Sequence, residues 1–279
     1  DTELFVAVDL ERGAGPEARV RVASAIEAAW LDAVFPGSVR EVAELVFDPA
    51  RERVIARTRT CYHDLVLAEH VRTDVDRLAA GAVLAAVARA DPAATGAVGE
   101  AETALVARLR FLTRWLPDLG WPADPDALLA DAVAALAAGC VSFAELRAAD
   151  AGAALRGLLT HAQRGALERE APAHYRLPSG RLAPLRYAPE RPPAVAARIQ
   201  ELFGLAHTPR LAAGRVAIVV ELLAPNQRPV QVTDDLPSFW HTTYPEVRRV
   251  LRGRYPKHAW PEDPLTATPH ARPGRGRAE

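Results

Sequence analysis

The sequence predicts an α+β protein in which a β-rich N-terminal part, a central helical subdomain and a mixed C-terminal part follow one another. The first part shows short runs of alternating apolar and polar side chains, which is the pattern of half-buried strands. The second is rich in alanine and leucine at helical spacing. Hydrophobic residues make up 49% and charged residues 25% of the 279, so the chain has enough apolar surface for a buried core.

Residues 1–75 form the β-rich part. Alternation predicts strands at residues 4–10, 18–22, 39–47 and 54–62, with a turn at 13–16, a short helix at 25–34 and a hairpin turn at 48–51. Strands at this spacing predict a small barrel or sandwich, and an OB-like barrel is one candidate among several.

The alanine- and leucine-rich pattern of residues 76–168 predicts a helical subdomain. Helices are expected at 76–90 and 100–116, from Pro125 behind the cap Asp124 to Gly139, from Ser142, and behind the cap Asp150. In the second of these, helical spacing places Leu105, Leu109, Leu112 and Leu116 on one face.

Residues 169–265 predict a mixed α/β domain, and residues 266–279 a disordered tail. A hairpin is expected at 174–187 around the turn 178–180, and strands at 216–223 and 229–233. Pro192 and Pro193 predict the start of an amphipathic helix that presents Val195, Ile199, Leu202 and Phe203 and ends at Gly204.

Charge and cysteine content restrict the partners. The formal net charge is −1, so affinity for nucleic acid requires a local basic surface. Neither an apolar run of about 18 residues nor a secretory leader is visible, so we expect a cytoplasmic protein with no membrane partner. Cys61 and Cys140 lie far apart outside any CxxC motif, which predicts no metal site. The lack of methionine and the strand-like start suggest a piece of a longer protein.

Sequence motifs for catalysis are missing. The chain has no GxxxxGK[ST] or GxGxxG phosphate loop and no GxSxG, HExxH or SxxK motif, so we predict no catalytic residue. His241 near Asp234 and Asp235 could form an acid/base cluster. The interpretation that the aspartates cap the following helix is favoured.

The most informative stretch is basic and aromatic. Residues 248–258 contain five cations and no acid, interleaved with aromatic rings, and the polar turn 225–229 precedes them. Arginine and lysine neutralise phosphates, and flat rings stack on unpaired bases. The alternative is that the rings attach a tail to the body while the charges form a solvated face. The predicted nucleic-acid-binding residues are Arg248, Arg249, Arg252, Arg254, Tyr255, Lys257, Trp260, Asn226 and Arg228.

The same stretch resembles a known family. LLAPNQRPVQVTDDLPSFW at 222–240 and RGRYPKHAWPEDP at 252–264 closely resemble the C-terminal end of bacterial HrpB-type ATP-dependent helicases, which belong to the DEAH/RHA group of RNA helicases. The resemblance extends through LRGLL, APAHYRLPSG and RIQELFG, and more weakly through LFVAVDL and RFLTRWLPDLGWP, so it covers essentially the whole chain.

The resemblance implies the region that follows the two RecA-like motor domains, the winged helix and most or all of the ratchet-like bundle. The family's phosphate loop, DEAH-type box and arginine fingers have no match here. ATP and Mg are therefore implied for the motor domains, with no cofactor in this chain, and the chain alone should not hydrolyse ATP.

Two functions remain open at this stage. One is an accessory region that supports single-stranded RNA or DNA beside the motor domains of the same polypeptide. The other is a protein-docking module that uses the aromatic C-terminal segment, with Trp240, Tyr244, Tyr255 and Trp260 as contacts. A freestanding enzyme is disfavoured because no nucleophile, metal set or phosphate loop is present.

Overall fold

The computed structural model describes residues 4–12 and 18–270. It contains both helices and sheets, which confirms the α+β class. Two compact units are present: one comprises residues 1–87 and 137–146, and the other residues 88–136 and 147–279. The predicted turn at 13–16 lies outside the described residues.

The first unit holds two separate antiparallel sheets. A hairpin pairs β1 (Phe5–Arg12) with β2 (Ala18–Ala25), helix α1 (Ala28–Val34) follows, and a meander pairs β3 (Val39–Asp48), β4 (Arg53–Tyr62) and β5 (Leu65–Arg72). Within the described part of the chain these strands do not close into one barrel, so the OB-like candidate is not the arrangement observed. Alternation predicted the strands, but it carries no information about which strands pair.

Local turn and cap chemistry in this unit follows the sequence. Asp48 Oδ1 accepts from the backbone N–H of Ala50 at 2.9 Å and of Arg51 at 3.2 Å, which closes the β3–β4 turn. Helix α2 (Arg77–Ala90) begins where Asp76 Oδ1 accepts from the Ala79 N–H at 2.8 Å. Gly81 allows a close approach, since a Cβ there would lie 2.1 Å from the Ala138 carbonyl oxygen.

The helical part also follows the prediction. Its remaining helices are α3 (Glu100–Trp115), α4 (Pro125–Ala137), α5 (Phe143–Arg147), α6 (Ala151–Gly157) and α7 (His161–Glu170). Asp124 and Asp150 cap α4 and α6 through backbone N–H groups three residues on. The four predicted leucines of the α3 face, from Leu105 to Leu116, are all buried.

The second unit is built on a five-stranded sheet of order β12-β11-β8-β7-β6. Its strands are β6 (His174–Arg176), β7 (Leu182–Ala188), β8 (Arg191–Arg198), β11 (Val219–Leu223) and β12 (Pro229–Thr233). The short strands β9 (Arg210–Leu211) and β10 (Val216–Ala217) form a separate pair. Strand β8 pairs parallel with β11, and the other pairs are antiparallel.

The predicted amphipathic helix from Pro192 is wrong. Residues 191–198 form strand β8, and only a 3₁₀ turn at Ile199–Glu201 follows it. Along β8 the buried positions alternate, with Pro193, Val195 and Ala197 on the buried side. Val195 and Ile199 are four residues apart, and this spacing places two side chains on the same side of either a strand or a helix. The residues form a strand because they pair with β11.

The chain after β12 is helical and then returns to the body. Helix α8 (Leu236–Ser238) continues through a π-helical turn at Phe239–Thr243 into α9 (Tyr244–Arg254). The Gly204 N–H donates to the Pro264 carbonyl at 3.0 Å, and the His270 N–H to the Gln200 carbonyl at 3.1 Å. Residues 266–270 of the predicted tail thus lie on the body, and residues 271–279 lie outside the described part.

A buried carboxylate connects two segments of this unit, the β6–β7 turn and the end of β8. Glu201 is 1% exposed. Its Oε1 accepts from Arg181 Nε at 2.6 Å, and its Oε2 accepts from Arg181 Nη2 at 3.0 Å and from the Arg198 backbone N–H at 2.9 Å. The Glu201 carbonyl also accepts from the Ser179 N–H at 3.3 Å. Burial alone would raise the pKa of Glu201, but the Arg181 and Arg198 contacts hold it below its ordinary value of 4.5.

Replacing this carboxylate should destabilise the fold. We expect Glu201→Gln to lower the free energy of unfolding by about 1–3 kcal/mol at pH 7, because Arg181, whose side chain is 36% exposed, would lose its charged partner and the buried site would lose a charge-assisted acceptor. The pKa of Glu201 is lowered in the folded state, so its contribution is complete above about pH 4.5 and falls as the pH drops through the folded pKa. Chemical denaturation at pH 7 and pH 3.5 should show the two proteins converging at the lower pH.

The control for this prediction is Asp118→Asn, which removes an exposed partner of Arg215. That change should cost less than about 1 kcal/mol. A loss in Glu201→Gln no larger than in this control would contradict the role assigned to Glu201.

Candidate nucleic-acid interface

The helical segment that carries the predicted site begins at a capped turn. Asp235 Oδ1 accepts from the Ser238 N–H at 3.0 Å, which confirms that this aspartate caps the helix. His241 is exposed on the π-helical turn that follows. Among the described residues, no group of three or more His, Cys, Asp or Glu side chains is placed as metal ligands would be.

Aromatic side chains form the core beneath α9. Phe239, Trp240 and Tyr244 are 1–4% exposed, and the Trp240 and Tyr244 ring centroids lie 5.4 Å apart. Trp240 Nε1 donates to the Leu205 carbonyl at 2.9 Å, and the Tyr244 hydroxyl donates to the Pro261 carbonyl at 2.9 Å. Burial raises the pKa of Tyr244 to about 12, although the nearby Arg248 acts to lower it. These rings therefore hold α9 in place and are not available as docking contacts.

Two of the predicted binding residues serve the same structural purpose. Trp260 is 8% exposed, and its Nε1 donates to the Tyr255 carbonyl at 3.0 Å. Arg248 Nε donates to the Trp260 carbonyl at 2.8 Å, and its Nη2 donates to Glu262 Oε1 at 3.1 Å. The predicted stacking of Trp260 on a base is therefore wrong, because Arg248, twelve residues earlier, helps to hold it against the body.

The remaining cations are exposed. Within the described residues, Arg249, Arg252, Arg254 and Lys257 form no ion pair with a carboxylate. Arg249 and Arg252 are three positions apart, which places them side by side on the helix, whereas Arg254 lies on a different side. Arg252 and Arg254 also stand in the last helical turn, where cations interact favourably with the helix dipole.

The neighbours of this group differ in exposure. Tyr255 is half-buried, with its ring edge-on to His258 at a centroid distance of 6.2 Å. Burial, together with the charges of His270 and Arg198, lowers the pKa of His258. Nothing in the sequence indicated that His258 would lie near these two residues, because they come from separate segments.

The turn between β11 and β12 carries the other two predicted residues. Asn226 Oδ1 accepts from the Arg228 N–H at 3.3 Å, so the asparagine side chain shapes its own turn. Both residues are exposed, and Arg228 makes no hydrogen bond or ion pair to α9 in the described part of the chain. We therefore treat Arg249, Arg252, Arg254 and Lys257 as the candidate interface and call them the α9 cations.

Part of this chain is similar to known proteins. Residues 133–264, which include the α9 cations, match a family described as "ATP-dependent helicase C-terminal", HrpB_C. The ATP-dependent RNA helicase HrpB of Escherichia coli K12 is 46% identical over 171 residues, a match that covers 59% of this chain and 21% of the relative.

Two solved structures are similar to nearly the whole chain. The E. coli DExH-box NTPase HrpB superposes with a TM-score of 0.68 at 34% identity, covering 95% of this chain and 33% of that one. A second structure, the E. coli DEAH/RHA helicase HrpB, gives a TM-score of 0.59 at 31% identity, with coverage of 92% and 32%. The chain thus spans about a third of the solved relatives, and its resemblance to the C-terminal region of HrpB-type helicases is confirmed.

The structural role of Trp260 can be tested directly. Trp260→Ala should lower the free energy of unfolding by about 3–5 kcal/mol, because it removes a large buried side chain and leaves a cavity. The measurement is chemical denaturation, with Arg254→Ala as the exposed control, expected within about 0.5 kcal/mol of the parent. If Trp260 lay at the surface, the two variants would be equally stable.

Proposed function

We propose that this chain is an accessory region of an ATP-dependent RNA helicase of the HrpB type, and that the α9 cations bind the phosphates of a single strand. The observation that supports this proposal is the lack of carboxylate partners for four neighbouring exposed cations within the described residues. Elsewhere many arginines are paired, as Arg110 is with Asp126 and Arg77 with Glu145.

Phosphate contacts of this kind give affinity without sequence preference. Each neutralised phosphate releases condensed counterions, which lowers the logarithm of the binding constant by about 0.7 per tenfold rise in salt for a single strand. RNA is proposed as the ligand because the curated relative is named an RNA helicase. ATP and Mg would act in motor domains outside this chain, and we predict that the chain alone has no ATPase activity.

The β1–β2 hairpin favours a docking function, in place of the aromatic C-terminal segment that the sequence suggested. Trp240, Tyr244 and Trp260 of the expected aromatic set are buried, whereas β1 and β2 expose Val6, Val8, Leu10 and Val22 by 48–68%. A two-stranded hairpin is marginal when its apolar side chains face water. We propose that the motor-containing remainder of the polypeptide covers this hairpin.

No helix among the described residues is long and apolar enough to cross a bilayer. The cytoplasmic location of the protein stays a prediction.

The phosphate contacts can be tested by salt-dependent binding. The triple variant Arg249→Ala, Arg252→Ala and Arg254→Ala should bind every single-stranded RNA sequence more weakly, and its salt slope should be about 2 units shallower. The measurement is fluorescence anisotropy of labelled RNA between about 50 and 200 mM salt.

The matched control replaces Arg164, Arg169 and Arg176 with alanine. These arginines are exposed and lie outside α9, and their removal changes the net charge equally. Equal losses in the two triple variants would indicate a general charge effect, and an unchanged slope in the α9 variant would refute the assignment.

A further inference from the structure

A groove runs along helix α3 in the second unit. Its larger part has a volume of about 920 Å³ and lies between the N-terminal half of α3 and strand β7. A smaller part of about 50 Å³ shares Ala107 with it and follows the C-terminal half of α3 to the turn between β7 and β8. The 16 residues of α3 give the groove a length of about 24 Å.

The lining of this groove contains more arginines than carboxylates. Its two parts together are lined by six arginines and by two glutamates, Glu100 and Glu190. Three of the six arginines are already paired, Arg108 with Glu168, Arg110 with Asp126, and Arg186 with Glu221. The other three, Arg114, Arg156 and Arg191, have no ion pair within the described chain. Their charge is therefore available to an anionic ligand.

The shape of the groove suits an extended chain with flat groups. Ala101, Ala104 and Ala107 recur every third residue along α3, so the floor is low and smooth. On the opposite wall the Tyr187 hydroxyl donates to the Pro172 carbonyl at 2.8 Å, and its ring lies 5.3 Å from Phe111. At the far end the Arg114 guanidinium lies over the Trp115 ring, 5.5 Å from its centroid.

We propose that the α3 groove binds a single strand of nucleic acid, with its phosphates at Arg114, Arg156 and Arg191. Charge complementarity selects this ligand, because a low apolar floor between unpaired arginines and ordered rings matches the usual construction of single-strand sites. A length of about 24 Å accommodates several nucleotides at a stacked rise of about 3.4 Å. The inference rests on the proposed function for its class of ligand, but it uses a different surface.

The test fills the groove without removing charge. Ala104 is exposed on α3, so Ala104→Trp should fold normally and block the larger part of the groove. We expect at least a tenfold loss of single-stranded RNA affinity by fluorescence anisotropy. The matched control, Ala135→Trp on the exposed side of α4 and away from the groove, should bind within twofold of the parent. If Ala104→Trp proves unstable, the triple variant Arg114→Ala, Arg156→Ala and Arg191→Ala should lose at least tenfold instead.

The outcomes separate this proposal from the function assigned to α9. Loss of binding on changing the α9 cations, with none in either groove variant, would overturn the groove and leave α9. Loss of binding in the groove variants, with none on changing the α9 cations, would overturn the function assigned to α9 and leave the groove proposal. If the parent chain bound no RNA, both proposals would be overturned. Photo-crosslinking with 4-thiouridine RNA should label residues 100–115 or 182–191. Binding of an acidic polypeptide in the groove, with RNA affinity unchanged by Ala104→Trp, would also overturn the proposal.

Discussion

The buried Glu201 carboxylate is the contact on which the second unit depends. A carboxylate that is 1% exposed is tolerated only when its charge and lone pairs are satisfied, and here Arg181 and the Arg198 backbone satisfy them. The β6–β7 turn and the end of β8 therefore meet at one point. Strand β8 pairs with both β7 and β11, so it is the central strand of the sheet. Its end is fixed at the Glu201 contact.

The pairing of arginines separates structure from binding throughout the molecule. All but one of the 34 basic residues are arginine, so counting them does not distinguish a structural arginine from a binding one. Arg248 illustrates the first kind, since it holds the Trp260 carbonyl and Glu262. Arg249, its neighbour, is exposed without a carboxylate partner in the described chain, and it belongs to the proposed binding group. Adjacent residues in one basic run thus differ in their contacts, and the surrounding segments determine which of them is paired.

How much the sequence could predict depends on the range of the interactions. Helix caps such as Asp124, Asp150 and Asp235 were predictable because the cap and its partner lie within three residues. The β8 strand was not, since a spacing of four fits both periodicities and distant β11 decides between them. The α3 groove could not be predicted either, because its two walls are about 80 residues apart in the sequence.

Under the proposed function, the aromatic core under α9 limits the kind of nucleic-acid contact that the helix can make. With Trp240 and Tyr244 buried, no large ring from this core remains to stack on or read a base. What α9 and the residues after it offer is a group of exposed cations, and cations bind phosphates, which are identical along every strand. A surface of this kind holds a strand without fixing its register, because each phosphate can replace its neighbour at the same cation. Under the proposed function, that property would suit a region beside a helicase motor, where base-specific contacts would resist each step.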